Sequence, residues 1–134
     1  MVVRMGGVHQ SSARVRALAD FMFALEPLPP SLAADDPAAV RGKALFESSE
    51  TRCTECHAGD ALTSRDNHDV GTGRALQVPS LRGIEYRAPF MHDGCAPTLR
   101  ARFDDPCAGG DQHGHTSQLA SKQVDDLVAY LRSL

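Results

Sequence analysis

The run Cys53-Thr54-Glu55-Cys56-His57 constrains this chain of 134 residues more than any other segment. Two thiols three positions apart on one turn can reach the two vinyl groups on one edge of a porphyrin. A histidine in the next position then lies beneath the iron. The spacing is a signature of covalent haem attachment. The residues therefore predict one haem c, bound through Cys53 and Cys56, with His57 as the proximal iron ligand. Two other uses of such thiols fit less well. A structural zinc site wants a second ligand pair of matching spacing, for which His113 with His115 is a poor candidate. A thioredoxin-like dithiol wants a strand–helix–strand setting, and none surrounds Cys53.

The rest of the composition is compatible with that cofactor. With no Trp, five Phe and two Tyr the core is short of bulk, which a large flat macrocycle would supply. A formal charge of -3 and the lack of any basic block argue against nucleic acid as a partner. No apolar run approaches membrane-spanning length, and Met1 to Gln10 shows no leader-like stretch. Because haem c is attached outside the cytoplasmic membrane, the expected location is periplasmic or otherwise outside that membrane, for a mature, truncated or fragmentary chain. Basic charge is almost all arginine, Lys43 and Lys122 being the only lysines. Arg74, Arg82, Arg87, Arg100 and Arg102 fall in the middle of the chain. Arginine forks pair bidentately with carboxylates, so partners for the haem propionates are expected here, with Arg74 and Arg82 as the candidates. A solvated arginine-rich surface is the competing reading.

Helical periodicity marks three segments and a short fourth. Ser11 to Glu26 repeats Val15, Leu18, Ala19, Met22 and Leu25 at helical spacing, and the prolines of Pro27 to Pro30 end it. A second helix is expected from an Asp35 or Asp36 N-cap with Pro37 in its first position, through Val40, Ala44, Leu45 and Phe46. Gly59 to about Gly94 reads as irregular. Pro97 to Phe103 reads as a short helix. The last helix has Ser121 as its expected N-cap and Val124, Leu127, Val128 and Leu131 as one apolar stripe. The first helix is patterned like the last, so residues 1–35 read as a helix and proline linker, either the tail of a preceding domain or an extra helix packed on a single one. Residues 36–134 read as a complete mono-haem domain.

Arg41-Gly42-Lys43-Ala44-Leu45-Phe46 upstream of the motif and Tyr130-Leu131 in the closing helix resemble class I cytochromes c. The resemblance implies an all-α cytochrome c fold whose first and last helices cross, with Gly42 allowing close approach and Phe46 and Tyr130 filling the crossing. The segments HDVGTG (His68 to Gly73), VPSLRGI (Val78 to Ile84) and APFMHDG (Ala88 to Gly94), followed by PTL at Pro97, also resemble the electron-accepting domain of bacterial dihaem cytochrome c peroxidases. They resemble, too, the related enzymes that mature a tryptophan-derived quinone cofactor.

The sixth iron ligand stays open at this level. Met91 is the only methionine after the haem motif and the first candidate, since a Met sulfur commonly raises the potential. The resemblance cuts the other way, because it implies a later Met or Tyr, and here that stretch reads FDDPCAGGDQHGHT. His113 is therefore the alternative distal candidate, followed by His115, His92 or an open position. His92-Asp93-Gly94 also reads as a turn, with Gly94 supplying an unusual backbone angle. Cys95 and Cys107 are left over, and an oxidising compartment would favour their disulfide over two free thiols. The expected function is single-electron transfer through transient docking to a redox protein. Peroxide chemistry at this or an upstream haem is the alternative. Oligomeric state is not legible.

Overall fold

The computed structural model of the protein describes residues 10–134. Four α-helices lie among the described residues: α1 (Ser12–Ala24), α2 (Pro37–Phe46), α3 (Ala101–Asp104) and α4 (Ser121–Arg132). Between α2 and α3 runs a long irregular region, as the sequence predicts. It contains one small ladder the reading did not foresee, with Asn67 opposite Gln77 and His68 opposite Leu76. Single 3-10 turns at Cys53–Glu55, Ile84–Arg87, Pro106–Ala108 and Gly110–His113 shape the loops.

α2 begins where expected. Asp36 is the N-cap, its carboxylate accepting from the amides of Ala38 at 2.8 Å and Ala39 at 3.3 Å, and Pro37 follows it. Ala39, Gly42 and Phe46 form its buried face, which packs on Val124, Leu127, Tyr130 and Leu131 of α4. The backbones touch at Gly42, where an added Cβ would lie 1.8 Å from the Asp126 carbonyl oxygen. Phe46 and Tyr130 fill the crossing, with ring centroids 5.1 Å apart and tilted. Leu81, Phe90, Ala96 and Leu99 from the loops close the same core. Next to Gly42, Arg41 grips the buried Asp126 carboxylate with two bonds of 2.8 Å, and Lys122 adds a third of 3.0 Å.

Three boundaries differ from the sequence reading. The N-cap of α4 is Ala120, not Ser121: the Gln123 side chain accepts from the Ala120 amide at 2.9 Å, while the Ser121 hydroxyl accepts from Arg100 at 3.2 Å. The short helix starts at Ala101 with Arg100 as its N-cap, and in the turn ahead of it the Thr98 hydroxyl accepts from the Ala101 amide at 3.0 Å. α1 spans Ser12–Ala24 behind a Ser11 cap, shorter than Ser11 to Glu26.

α1 has no buried residue. Val15, Leu18, Phe21, Met22 and Leu25 are exposed, so its apolar side does not pack on this domain. The linker after it is nevertheless fastened. Tyr86 donates to the Pro29 carbonyl at 2.6 Å, the Ser31 amide and hydroxyl bind the Glu85 carboxylate, and Arg132 donates to the Ser31 hydroxyl at 3.1 Å. No helix among the described residues is long and apolar enough to cross a membrane. The reading of the first segment as leader-free concerns residues 1–9 and Gln10, of which 1–9 lie outside those described.

The Asp126 grip predicts a pH signature. Hydrogen bonds from Arg41 hold this carboxyl at about 2, below its ordinary 3.8. A carboxyl depressed on folding contributes stability above its unfolded pKa and loses it as pH falls towards the folded one. Urea titrations are expected to show stability declining as pH falls from about 5 towards 2. Asp126→Asn is expected to be less stable at pH 7 and to have a flatter profile in that window.

Candidate functional site

Thr51 organises the approach to the haem motif. Its buried hydroxyl donates to the Leu45 carbonyl at the end of α2, at 2.6 Å, and its own carbonyl accepts from the His115 amide at 3.0 Å. One residue thus ties α2, the Cys53 turn and the His113–His115 segment together. Arg52 adopts a left-handed backbone, after which the chain turns tightly, with Cys56 and His57 amides both donating to the Cys53 carbonyl. Cys53, Cys56 and His57 are brought together and are all half-buried.

The His57 ring is oriented from behind. Its Nδ1 lies 3.1 Å from the Leu62 carbonyl. A carbonyl only accepts, so Nδ1 carries the proton and Nε2 keeps a free lone pair for a metal. Facing it is His113, at the end of the Gly110–His113 turn, with ring centroids 6.5 Å apart and planes inclined by 33°. Gly109 makes that approach possible, since a Cβ there would lie 1.7 Å from the Val70 carbonyl oxygen and its φ is +85°. The Cys95–Cys107 disulfide, with Cα atoms 6.3 Å apart, ties the turn leading to His113 to the loop that follows Met91.

Burial sets the electrostatics of this space. It pushes the Cys53 and Cys56 thiols up and His57 down. His113 is pushed down to about 3, by burial first and then by the Arg102 and His57 charges. Both imidazoles are therefore neutral near pH 7, with lone pairs available. Arg102 reaches in from α3. Burial lowers it to about 10, and it donates to the His113 carbonyl. Two buried nitrogens here lack a well-aligned partner, Arg102 Nη1 and His113 Nδ1, although the Ala108 carbonyl lies near the latter ring.

Of the other sequence candidates, Met91 is half-buried against the core in a left-handed backbone (φ 69°). His92 and His115 are exposed, the latter with Nε2 3.4 Å from Arg52. Asp93 accepts from the Cys95 amide, so His92-Asp93-Gly94 is the expected turn. Arg74 and Arg82 are exposed, and Arg82 donates to the Asp60 carbonyl at 2.5 Å. Arg100 and Arg102, two positions apart, take opposite sides of a helical turn: Arg100 is occupied outside by Asp104 and Asp125, and Arg102 is turned inwards to the His113 carbonyl.

The donor set fits a haem. Two imidazoles on one metal, at roughly 2 Å each plus the reach from nitrogen to ring centre, stand about 6 Å apart centre to centre. His57 and His113 match that separation. Among the described residues no group of three or more His, Cys, Asp or Glu side chains converges to hold a bare ion. An ion between the two rings would need its remaining ligands from outside the chain, and a porphyrin brings four nitrogens. The two thiols beside His57 suit its covalent attachment.

The chain is similar to several known proteins. The family model described as cytochrome c matches residues 39–134. Methylamine utilization protein MauG of Methylorubrum extorquens is 31% identical, over 72% of this chain and 34% of that protein. Cytochrome-c peroxidase IdrP1 of a Pseudomonas strain is 30% identical, over 62% of this chain and 23% of that protein. A chain of hydrazine synthase from Kuenenia stuttgartiensis superposes with a TM-score of 0.79 at 27% identity, over 92% of this chain and 56% of that one. The chain thus spans about a third of MauG and about half of the hydrazine synthase chain.

The bridge ahead of His113 carries its own test. Closing a loop with a sequence separation of 12 contributes about 3 kcal/mol on the chain-entropy model. Replacing Cys95 and Cys107 together by serine is expected to lower unfolding free energy by about that much. The His113 segment is expected to exchange its amide hydrogens faster, as read by hydrogen–deuterium exchange.

Proposed function

The chain belongs to the cytochrome c family, and we propose that this domain moves single electrons on one covalently bound haem c. When bound, the haem supplies an iron that cycles between ferric and ferrous. The chain's own residues do the rest. Cys53 and Cys56 hold the macrocycle and prevent its loss. His57 supplies the proximal nitrogen and is kept in one tautomer by the Leu62 carbonyl. His113 supplies the sixth ligand in preference to Met91, and the observation that carries this is the facing pair of imidazoles. Ligation by both His57 and His113 would limit rearrangement on electron transfer and leave no position for substrate. Compared with Met ligation, a histidine pair lowers the potential. Contact with a redox partner is small and transient. A disulfide beside covalent haem fits an oxidising compartment such as the periplasm.

The similarity to a protein named as a cytochrome-c peroxidase favours a second reading, in which this domain feeds electrons to peroxide chemistry on another haem of a longer protein. That reading keeps the same role for the residues described here.

Optical spectra of both oxidation states, with and without carbon monoxide or peroxide, test the proposal. Six-coordinate low-spin spectra that ignore both reagents are expected. His113→Ala is expected to become high-spin and bind carbon monoxide, and Met91→Leu to leave the spectra unchanged. A parent protein that binds either reagent would place the chemistry at this iron and overturn the carrier assignment.

A further inference from the structure

Arg102 is a buried cation without an anion. Arg41, Arg52, Arg100 and Arg132 each pair with a carboxylate, but no Asp or Glu among the described residues pairs with Arg102. One face of its guanidinium lies over the Phe103 ring, 4.7 Å from the centroid. Nη2 donates to the His113 carbonyl, while Nη1 is buried with no acceptor among the described residues. Burying a charge without a partner is strongly disfavoured, and a charged donor left unmet is among the costliest defects a fold can hold. The Arg102 charge also acts on Cys53, His57 and His113 together, so the guanidinium stands at the haem site and not on the far side of α3.

We propose that Arg102 is the internal counter-charge of the haem pocket, giving Nη1 to a haem propionate while Nη2 steadies the segment that carries His113. This rests on the haem reading above and replaces exposed Arg74 and Arg82 in the role the sequence suggested for them. An arginine fork suits it, because two donors on one rigid plane can serve a carboxylate and a carbonyl at once. The sign of its electrostatic effect follows directly. A positive charge near the iron disfavours the ferric state, and losing it leaves a propionate charge uncompensated, which favours the ferric state further.

The test uses holoprotein and begins with the haem content of the parent protein, whose absence would sink the haem reading itself. With haem in place, potentiometric titrations compare the parent, Arg102→Gln and Arg102→Lys. Arg102→Gln is expected to shift the one-electron equilibrium about tenfold towards ferric iron, a potential 59 mV lower. Arg102→Lys keeps the charge but not the fork, so a smaller shift is expected. Redox-difference infrared spectra of the parent are expected to show a guanidinium band that moves on arginine isotope labelling. Arg102→Gln with an unchanged potential would overturn the proposal. Should neither variant retain haem, the infrared measurement on the parent decides: no arginine-sensitive band, no propionate pair.

Discussion

Two neutral imidazoles with ring centres 6.5 Å apart in a desolvated space are the pair around which the domain is arranged. Each arrives by a different route. His57 is delivered by the tight turn that follows α2 and is locked by the Leu62 carbonyl. His113 comes from a glycine-rich loop some fifty residues later and is carried on a single 3-10 turn. The fold holds that loop by other means. It does so from three sides: the Thr51 carbonyl receives the His115 amide, Arg102 holds the His113 carbonyl, and the Cys95–Cys107 bridge anchors the entry turn.

The helical frame exists to place these supports. The contact at Gly42 brings α2 against α4, and Phe46 and Tyr130 fill what remains of the crossing. Thr51 then passes the position of α2 on to the motif and to the distal loop. Secondary structure is sparse between α2 and α3, which is what a chain needs when its centre is to be occupied by a cofactor and not by its own side chains. The fastened linker before α2 presents α1 with its apolar side uncovered, a feature the domain itself does not use.

Much of this could be read from the residues alone. The five-residue motif, the Asp36–Pro37 start of α2, the glycine at the crossing and the apolar stripe of α4 are local patterns whose physics is short-range, and each lies where the sequence put it. The Cys95–Cys107 pairing followed from compartment chemistry and left-over thiols. What stayed hidden depends on three-dimensional closure. Met91 and His113 both follow the motif, and only the folded loop brings the His113 ring to 6.5 Å from that of His57. Ser121 is a good cap residue that the Gln123 side chain made unnecessary. Arg74 and Arg82 are exposed, and spacing along the chain does not say which arginine a short helix turns inwards.

Iron K-edge X-ray absorption on the ferric holoprotein tests the paired-imidazole centre most directly. A first shell of nitrogens alone, with multiple scattering from two imidazole rings, is the result predicted. A sulfur scatterer beyond that shell, or the signature of a single imidazole, would contradict it.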